Sequence, residues 1–174
     1  MPPHSPNNHE CRPRWPAGRR TRIGVIGAGE LGLSTALDFA KRGYHVLCAD
    51  DSERVAAAAG RCERALPSIG AGLLRFTSSS ADVARHGEVI FIAVGMSAED
   101  GEDGDQDSTA RLLDAAVEVA QNLIGPAVIV DKSTASPAVA DQVADLMARN
   151  SDHEIVVVSD PQPTERALRV FFRN

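Results

Sequence analysis

The chain has 174 residues, enough for one domain of ordinary size with a short tail. Its 43% hydrophobic and 24% charged content fit a soluble globular protein, and 4% aromatic content leaves the core to Val, Ile, Leu and Ala. The net charge of −6 is uneven: residues 1–21 hold four Arg against one Glu, so the body is acidic, which speaks against nucleic acid as its main ligand.

The first stretch, "MPPHSPNNHECRPRWPAGRR", is rich in Pro, Asn and Arg and lacks an apolar segment. It reads as a disordered basic tail over residues 1–21, not as a secretory signal. No apolar run reaches the roughly 18 residues of a membrane span. Cys11, Cys48 and Cys62 form no C-x-x-C pair, and their odd number suggests a reduced, cytoplasmic setting.

Regular patterning starts at Arg22. "RIGVI" reads as a buried strand, and "ELGLSTALDFAKRG" as a helix with Leu33, Ala36, Leu37 and Ala40 inward and Gly43 as its C-terminal cap. "YHVLCA" is a second strand. "DSERVAAAAGRCERAL" is a second helix with Asp51 or Ser52 as N-cap. "LRFTS", "SADVARHG" and "EVIFIAV" read as strand, short helix and strand. After the acidic stretch "SAEDGEDGDQDS" comes a long helix marked by Leu113, Ala116, Val117, Ala120 and Ile124. "AVIVD" is a fifth strand. "SPAVADQVADLMARN" is a helix with Val139, Val143, Leu146 and Met147 on one face, and "EIVVVS" is a sixth strand. Apolar strands alternating with helices predict an α/β domain of Rossmann type. Its sheet is doubly wound and parallel, with helices on both faces.

Between the first strand and its helix stands "GAGELG", Gly27-Ala28-Gly29-Glu30-Leu31-Gly32, a G-x-G-x-x-G in the context that dinucleotide binding requires. Gly27 permits a tight turn, Gly29 lets backbone approach a pyrophosphate, and Gly32 lets helix and strand pack closely. The helix N-terminus offers N–H groups and a positive dipole end to phosphate. Asp50, at the end of the next strand, suits the ribose hydroxyls and would repel a 2′-phosphate. This favours NAD over NADP, a preference that Arg54 softens. Glu30 places an opposing negative charge at the phosphate site unless it points away.

"IGVIGAGELGLSTALDFAKRGYHVLCAD", "EVIFIAVG" and "VIVDKST" together resemble the UDP-glucose/GDP-mannose dehydrogenase family, from about Arg22 to Asp160. The resemblance implies an NAD-dependent oxidation of the C6 alcohol of a nucleotide sugar to a carboxylate, using two NAD and a cysteine nucleophile. It matches Gly27, Gly29 and Gly32 to the phosphate loop, and Asp50 to the ribose acid. Arg54 matches a basic position beside the adenosine ribose, with one residue missing from the loop. Val94 and Gly95 match the turn after the fourth strand. Thr134 matches the threonine near nicotinamide and catalytic water.

This sequence also departs from the family. Met96 and Ser97 replace a Thr-Pro. Asp160-Pro161-Gln162 replaces an Asn-Pro-Glu, so the glutamate expected to assist water attack is Gln162, which cannot serve as a general base. The family's cysteine lies in a C-terminal domain after a long connecting helix, and neither is expected here. Cys48 reads as core, and Cys62 lacks glycine-rich surroundings.

The remaining constellations read as structural. "DGDQDS" has the first spacings of a calcium loop, but Ser108 and Asp114 stand where Gly and Glu are needed, so a solvated loop is expected. His86 and His153 have no second ligand at metal spacing, and Ser133 has no nucleophile elbow. "VFF" at 170–172 would either pack back on the domain or meet a partner, a second copy or a separate catalytic chain.

The expectation is a tail over 1–21, an NAD-binding domain over 22–160, and the start of a connection to an absent catalytic domain over 161–174. Two alternatives stand beside it: a non-catalytic dinucleotide-binding module or degenerate remnant, and a complete small reductase. The last is disfavoured because no second domain would enclose the substrate.

Overall fold

The structure is a computed structural model that describes residues 21–65, 72–94, 104–132 and 136–159, without the side chains of 61–65 and 104–107. In chain order it contains β1 (Arg22–Ile26), α1 (Glu30–Lys41), β2 (His45–Ala49), α2 (Ser52–Ala65), β3 (Leu74–Thr77) and α3 (Ser80–His86). These are followed by β4 (Val89–Ile92), α4 (Gly104–Asn122), β5 (Ala127–Asp131), α5 (Pro137–Asn150) and β6 (Ile155–Ser159). The elements fall where the apolar patterning predicts them.

The six strands form one sheet in the order β3-β2-β1-β4-β5-β6, and every pairing is parallel. Parallel strands need crossovers, and the helices that supply them cover both faces. Alternate residues of each strand therefore serve two cores. Ile23, Val25, Val46, Cys48, Phe91 and Val130 pack with Leu33, Ala36, Phe39 and Ala40 of α1 and with Ala58 of α2. Ile26, Leu47, Ile90, Ile92 and Ile129 pack with α3, α4 and α5, through Val83, Leu112, Val119 and Met147 among others.

The aromatic content is low, but it is concentrated. Phe39 meets Phe91 at a ring-centroid distance of 5.0 Å and Tyr44 edge-on at 5.6 Å, which anchors α1 on β4. Gly43 has φ +85°, the left-handed turn that ends α1 and sends the chain into β2.

One helical face differs from the expectation. In α4 the buried stripe is Leu112, Ala116, Val119, Ala120 and Leu123. Leu113 is only half-buried, and Ile124 lies beyond the helix end with 66% of its surface exposed. The helix also begins at Gly104, so the backbone from there to Asp114 is helical and does not wrap a cation as a calcium loop does.

Candidate dinucleotide site

In this strand order, β1 leads by way of α1 to β2, and β4 leads by way of α4 to β5, on opposite faces of the sheet. The adjacent ends of β1 and β4 thus open a crevice where the winding reverses, the usual ligand position in such sheets. The register brings three loops to one level: Ile26 stands beside Ala49 and beside Ile92. The glycine loop, Asp50 and the turn after β4 leave the sheet together.

Each glycine of the loop has its own constraint. Gly27 has φ +101°, and a Cβ there would lie 2.6 Å from the Ala93 carbonyl oxygen. Gly27 N–H donates to Ala49 O at 2.7 Å, so the turn is bolted to β2. Gly32 brings α1 against the loop so closely that a Cβ would sit 1.7 Å from Gly27 O. Gly29 differs from both. Its backbone is extended, at φ −65° and ψ −175°, which any residue adopts. A Cβ there would meet nothing within 4 Å. Nothing among the described residues requires glycine at position 29, which fits a requirement set by a ligand drawn close to the backbone.

Gly29 is also the N-cap of α1, and no side chain caps this end. N–H groups at the start of this 12-residue helix, with no side-chain cap, are of the kind that attract anions. Glu30 and Leu31 are exposed, so the Glu30 carboxylate stands in solvent at the same helix end.

Asp50 is tied to the loop. Its Oδ2 accepts the Ala28 N–H at 2.6 Å, and its Oδ1 accepts the Asp51 N–H at 2.8 Å. The carboxylate thereby links the end of β2 to the glycine turn. Asp51, not Ser52, is the residue that caps α2: its Oδ1 accepts the Arg54 N–H at 2.9 Å, and its backbone oxygen accepts the Val55 N–H. The other Asp51 oxygen lies 3.4 Å from Arg54 Nε. Val94 is half-buried and packs against the α4 side of the core.

Cys48 is fully buried in the α1 core, where it packs as a small hydrophobe. The patterning also missed a buried polar pair at the end of β5, Asp131 and Lys132, each 1% exposed. Lys132 N–H donates to Ile92 O, which continues the β4–β5 pairing past the strand end. The available signal was a pair of charges closing a run of four apolar residues, AVIV.

Gly95, Met96, Ser97, Ser133, Thr134 and Gln162 lie outside the described residues, as do Cys11, the side chain of Cys62 and the 170–172 segment. Among the described residues no group of three or more His, Cys, Asp or Glu is placed to hold a metal ion, and no helix is long and apolar enough to cross a membrane.

Comparison with known proteins places this geometry. The family model described as "UDP-glucose/GDP-mannose dehydrogenase family, NAD binding domain" matches residues 21–167. A UDP-glucose 6-dehydrogenase of Pseudomonas aeruginosa is 36% identical over a match that covers 81% of this chain and 34% of that protein. The enzyme of the same name from Rhizobium meliloti is 32% identical with the same coverage. The chain thus spans about a third of the length of these relatives. Among solved structures, a UDP-glucose dehydrogenase from Pyrobaculum islandicum superposes with a TM-score of 0.65 at 27% identity, over 84% of this chain and 37% of that one.

Proposed function

The chain belongs to the UDP-glucose/GDP-mannose dehydrogenase family as its NAD-binding domain, and from that premise we propose that it holds NAD for the C6 oxidation of a nucleotide sugar. The reaction would be completed with a cysteine-bearing domain, supplied by a second chain or by further sequence of the same protein. The observation that carries the reading is Gly29: an unstrained, extended glycine at an uncapped helix start, facing open space.

In this reading the N–H groups at the start of α1 bind the pyrophosphate. Gly27, Ala28 and Gly32 shape the loop around it, with Glu30 and Leu31 at its solvent side. Asp50 accepts hydrogen bonds from the adenosine ribose hydroxyls while keeping its grip on Ala28. Val94 and Gly95 supply backbone beneath the nicotinamide half, and Thr134 orients water beside it. Bound NAD supplies the hydride acceptor. Gln162, neutral at every pH, positions a water by hydrogen bonding and takes no proton from it. The domain would occupy residues 22–160, and residues 161–174 would begin the connection to the catalytic part, in a cytoplasmic protein.

A second reading, a non-catalytic dinucleotide-binding module, draws on Gln162 and on the burial of Cys48, the one cysteine whose side chain is described. Calorimetric titration with NAD tests the common premise. Wild type should bind NAD, and Asp50→Ala should weaken binding about tenfold or more, since it removes both the ribose acceptor and the loop anchor. Absence of heat at millimolar NAD from a folded chain would overturn the proposal.

A further inference from the structure

The inference concerns Asp51 and rests on the NAD reading of the site. Asp50 is the acid expected to discriminate against a 2′-phosphate, with Arg54 as the cation that would soften the preference. The structure gives the two residues different circumstances. Asp50 spends one oxygen on Ala28 N–H and the other on Asp51 N–H. Arg54 is held by its neighbour: Asp51 accepts its backbone N–H at 2.9 Å and lies 3.4 Å from its Nε.

We propose that Asp51 sets the preference for NAD over NADP, by detaining the Arg54 guanidinium and adding a second carboxylate beside Asp50. The effect is electrostatic. A 2′-phosphate carries close to two negative charges and needs a cation free to turn toward it. Here the nearest cation in the chain after Asp50 is already paired with a carboxylate, and Asp50, Asp51 and Glu53 outnumber it within one helical turn. The Asp51–Arg54 pair is exposed, at 60% and 50% of the side-chain surfaces, so it is worth little as stability. Its effect lies in where the charge is held. The N-cap role separates cleanly from the charge, because asparagine caps a helix as well as aspartate does.

The test is Asp51→Asn, titrated with NAD and with NADP at low salt beside wild type and the Asp51→Asn/Arg54→Ala double variant. The single variant should bind NADP about five- to tenfold more tightly than wild type, with NAD changed less than about twofold. The double variant should lose the gain, and added salt should shrink it. If NAD binds all three proteins and NADP affinity is unmoved in the single variant, the role of Asp51 is refuted and the cofactor reading stands. If the gain survives in the double variant, Arg54 is not the responding cation and the detention argument fails. If folded wild type binds neither nucleotide, both this inference and the cofactor reading fall.

Discussion

Gly29 and Gly32 sit three positions apart in the same motif, yet the structure assigns them opposite costs. A methyl group at 32 would be driven into the Gly27 carbonyl at 1.7 Å, a backbone contact that no rotamer relieves. Gly32→Ala should therefore destabilise the fold by about 2 kcal/mol or more, read as a lower urea midpoint. A methyl at 29 meets open space on extended backbone, so Gly29→Ala should cost under about 1 kcal/mol, the difference between Gly and Ala as N-cap. Its effect should appear in NAD titration, as a loss of about tenfold or more at nearly unchanged stability. Unimpaired NAD binding by Gly29→Ala would remove the observation on which the cofactor reading rests. The motif itself was legible in the sequence, because glycines at fixed spacing between a strand and a helix have few other uses. The division of labour was not legible. It depends on which backbone atoms approach each Cα, and on through-space bonds such as Ala28 N–H to Asp50, 22 positions apart.

Secondary elements were read more securely than the faces they bury. Each strand is a short apolar run closed by a turn residue or a charge, and the structure keeps all six. The buried face of α4 keeps Ala116 and Ala120 of the expected stripe but not Leu113, Val117 or Ile124, for a physical reason. Leu112-Leu113, Ala115-Ala116-Val117, Val119-Ala120 and Leu123-Ile124 are apolar doublets and triplets, so the hydrophobic arc is broad and periodicity does not fix its centre. Packing against α3 and α5 selects Leu112 and Leu123 and leaves Ile124 outside. The short helix α3 supports a prediction of its own. At its C-terminus, His86 Nε2 lies 3.2 Å from His45 O, so Nε2 carries the proton and the ring tethers α3 to the start of β2. Burial holds the His86 pKa below its usual 6.5. The His45 carbonyl works against this, while the charges of Arg75, Arg22 and His45 add to it. The folded chain then binds this proton less readily than the unfolded chain, so burial of the neutral ring contributes stability that is present above pH 6.5 and is lost as pH falls below it, while the His45 carbonyl bond offsets part of that loss. Urea midpoints should drop between pH 7.5 and 5.5, and His86→Gln should flatten the drop. An equal drop in the variant would assign it to other groups.

At the scale of the whole molecule, the strand order decides what the domain can do unaided. The 3-2-1-4-5-6 order reverses its winding between β1 and β4, and the glycine loop, Asp50 and Val94 follow the ends of β1, β2 and β4 at that edge of the sheet. Under the proposed function these residues serve to hold a dinucleotide, and the oxidation needs a thiol besides. The described residues supply no accessible thiol, since Cys48 is buried in the α1 core. The chain matches about a third of the length of these UDP-glucose 6-dehydrogenases, and the proposed function assigns binding and turnover to different lengths of protein. The 174-residue chain should therefore bind NAD yet produce no NADH absorbance when a UDP-sugar or GDP-sugar is added. Turnover should appear only on mixing with a cysteine-bearing domain of the same family. In that mixture Gln162→Glu should raise the rate of the final hydrolysis that frees the carboxylate from the cysteine, where water attack needs a base, and leave both hydride transfers within about twofold. Turnover by the chain alone would refute the division between cofactor domain and catalytic partner. NAD binding with no turnover in any pairing, with Glu at 162 or without it, would favour the non-catalytic module, because a competent cofactor edge would then lack any catalytic half to serve.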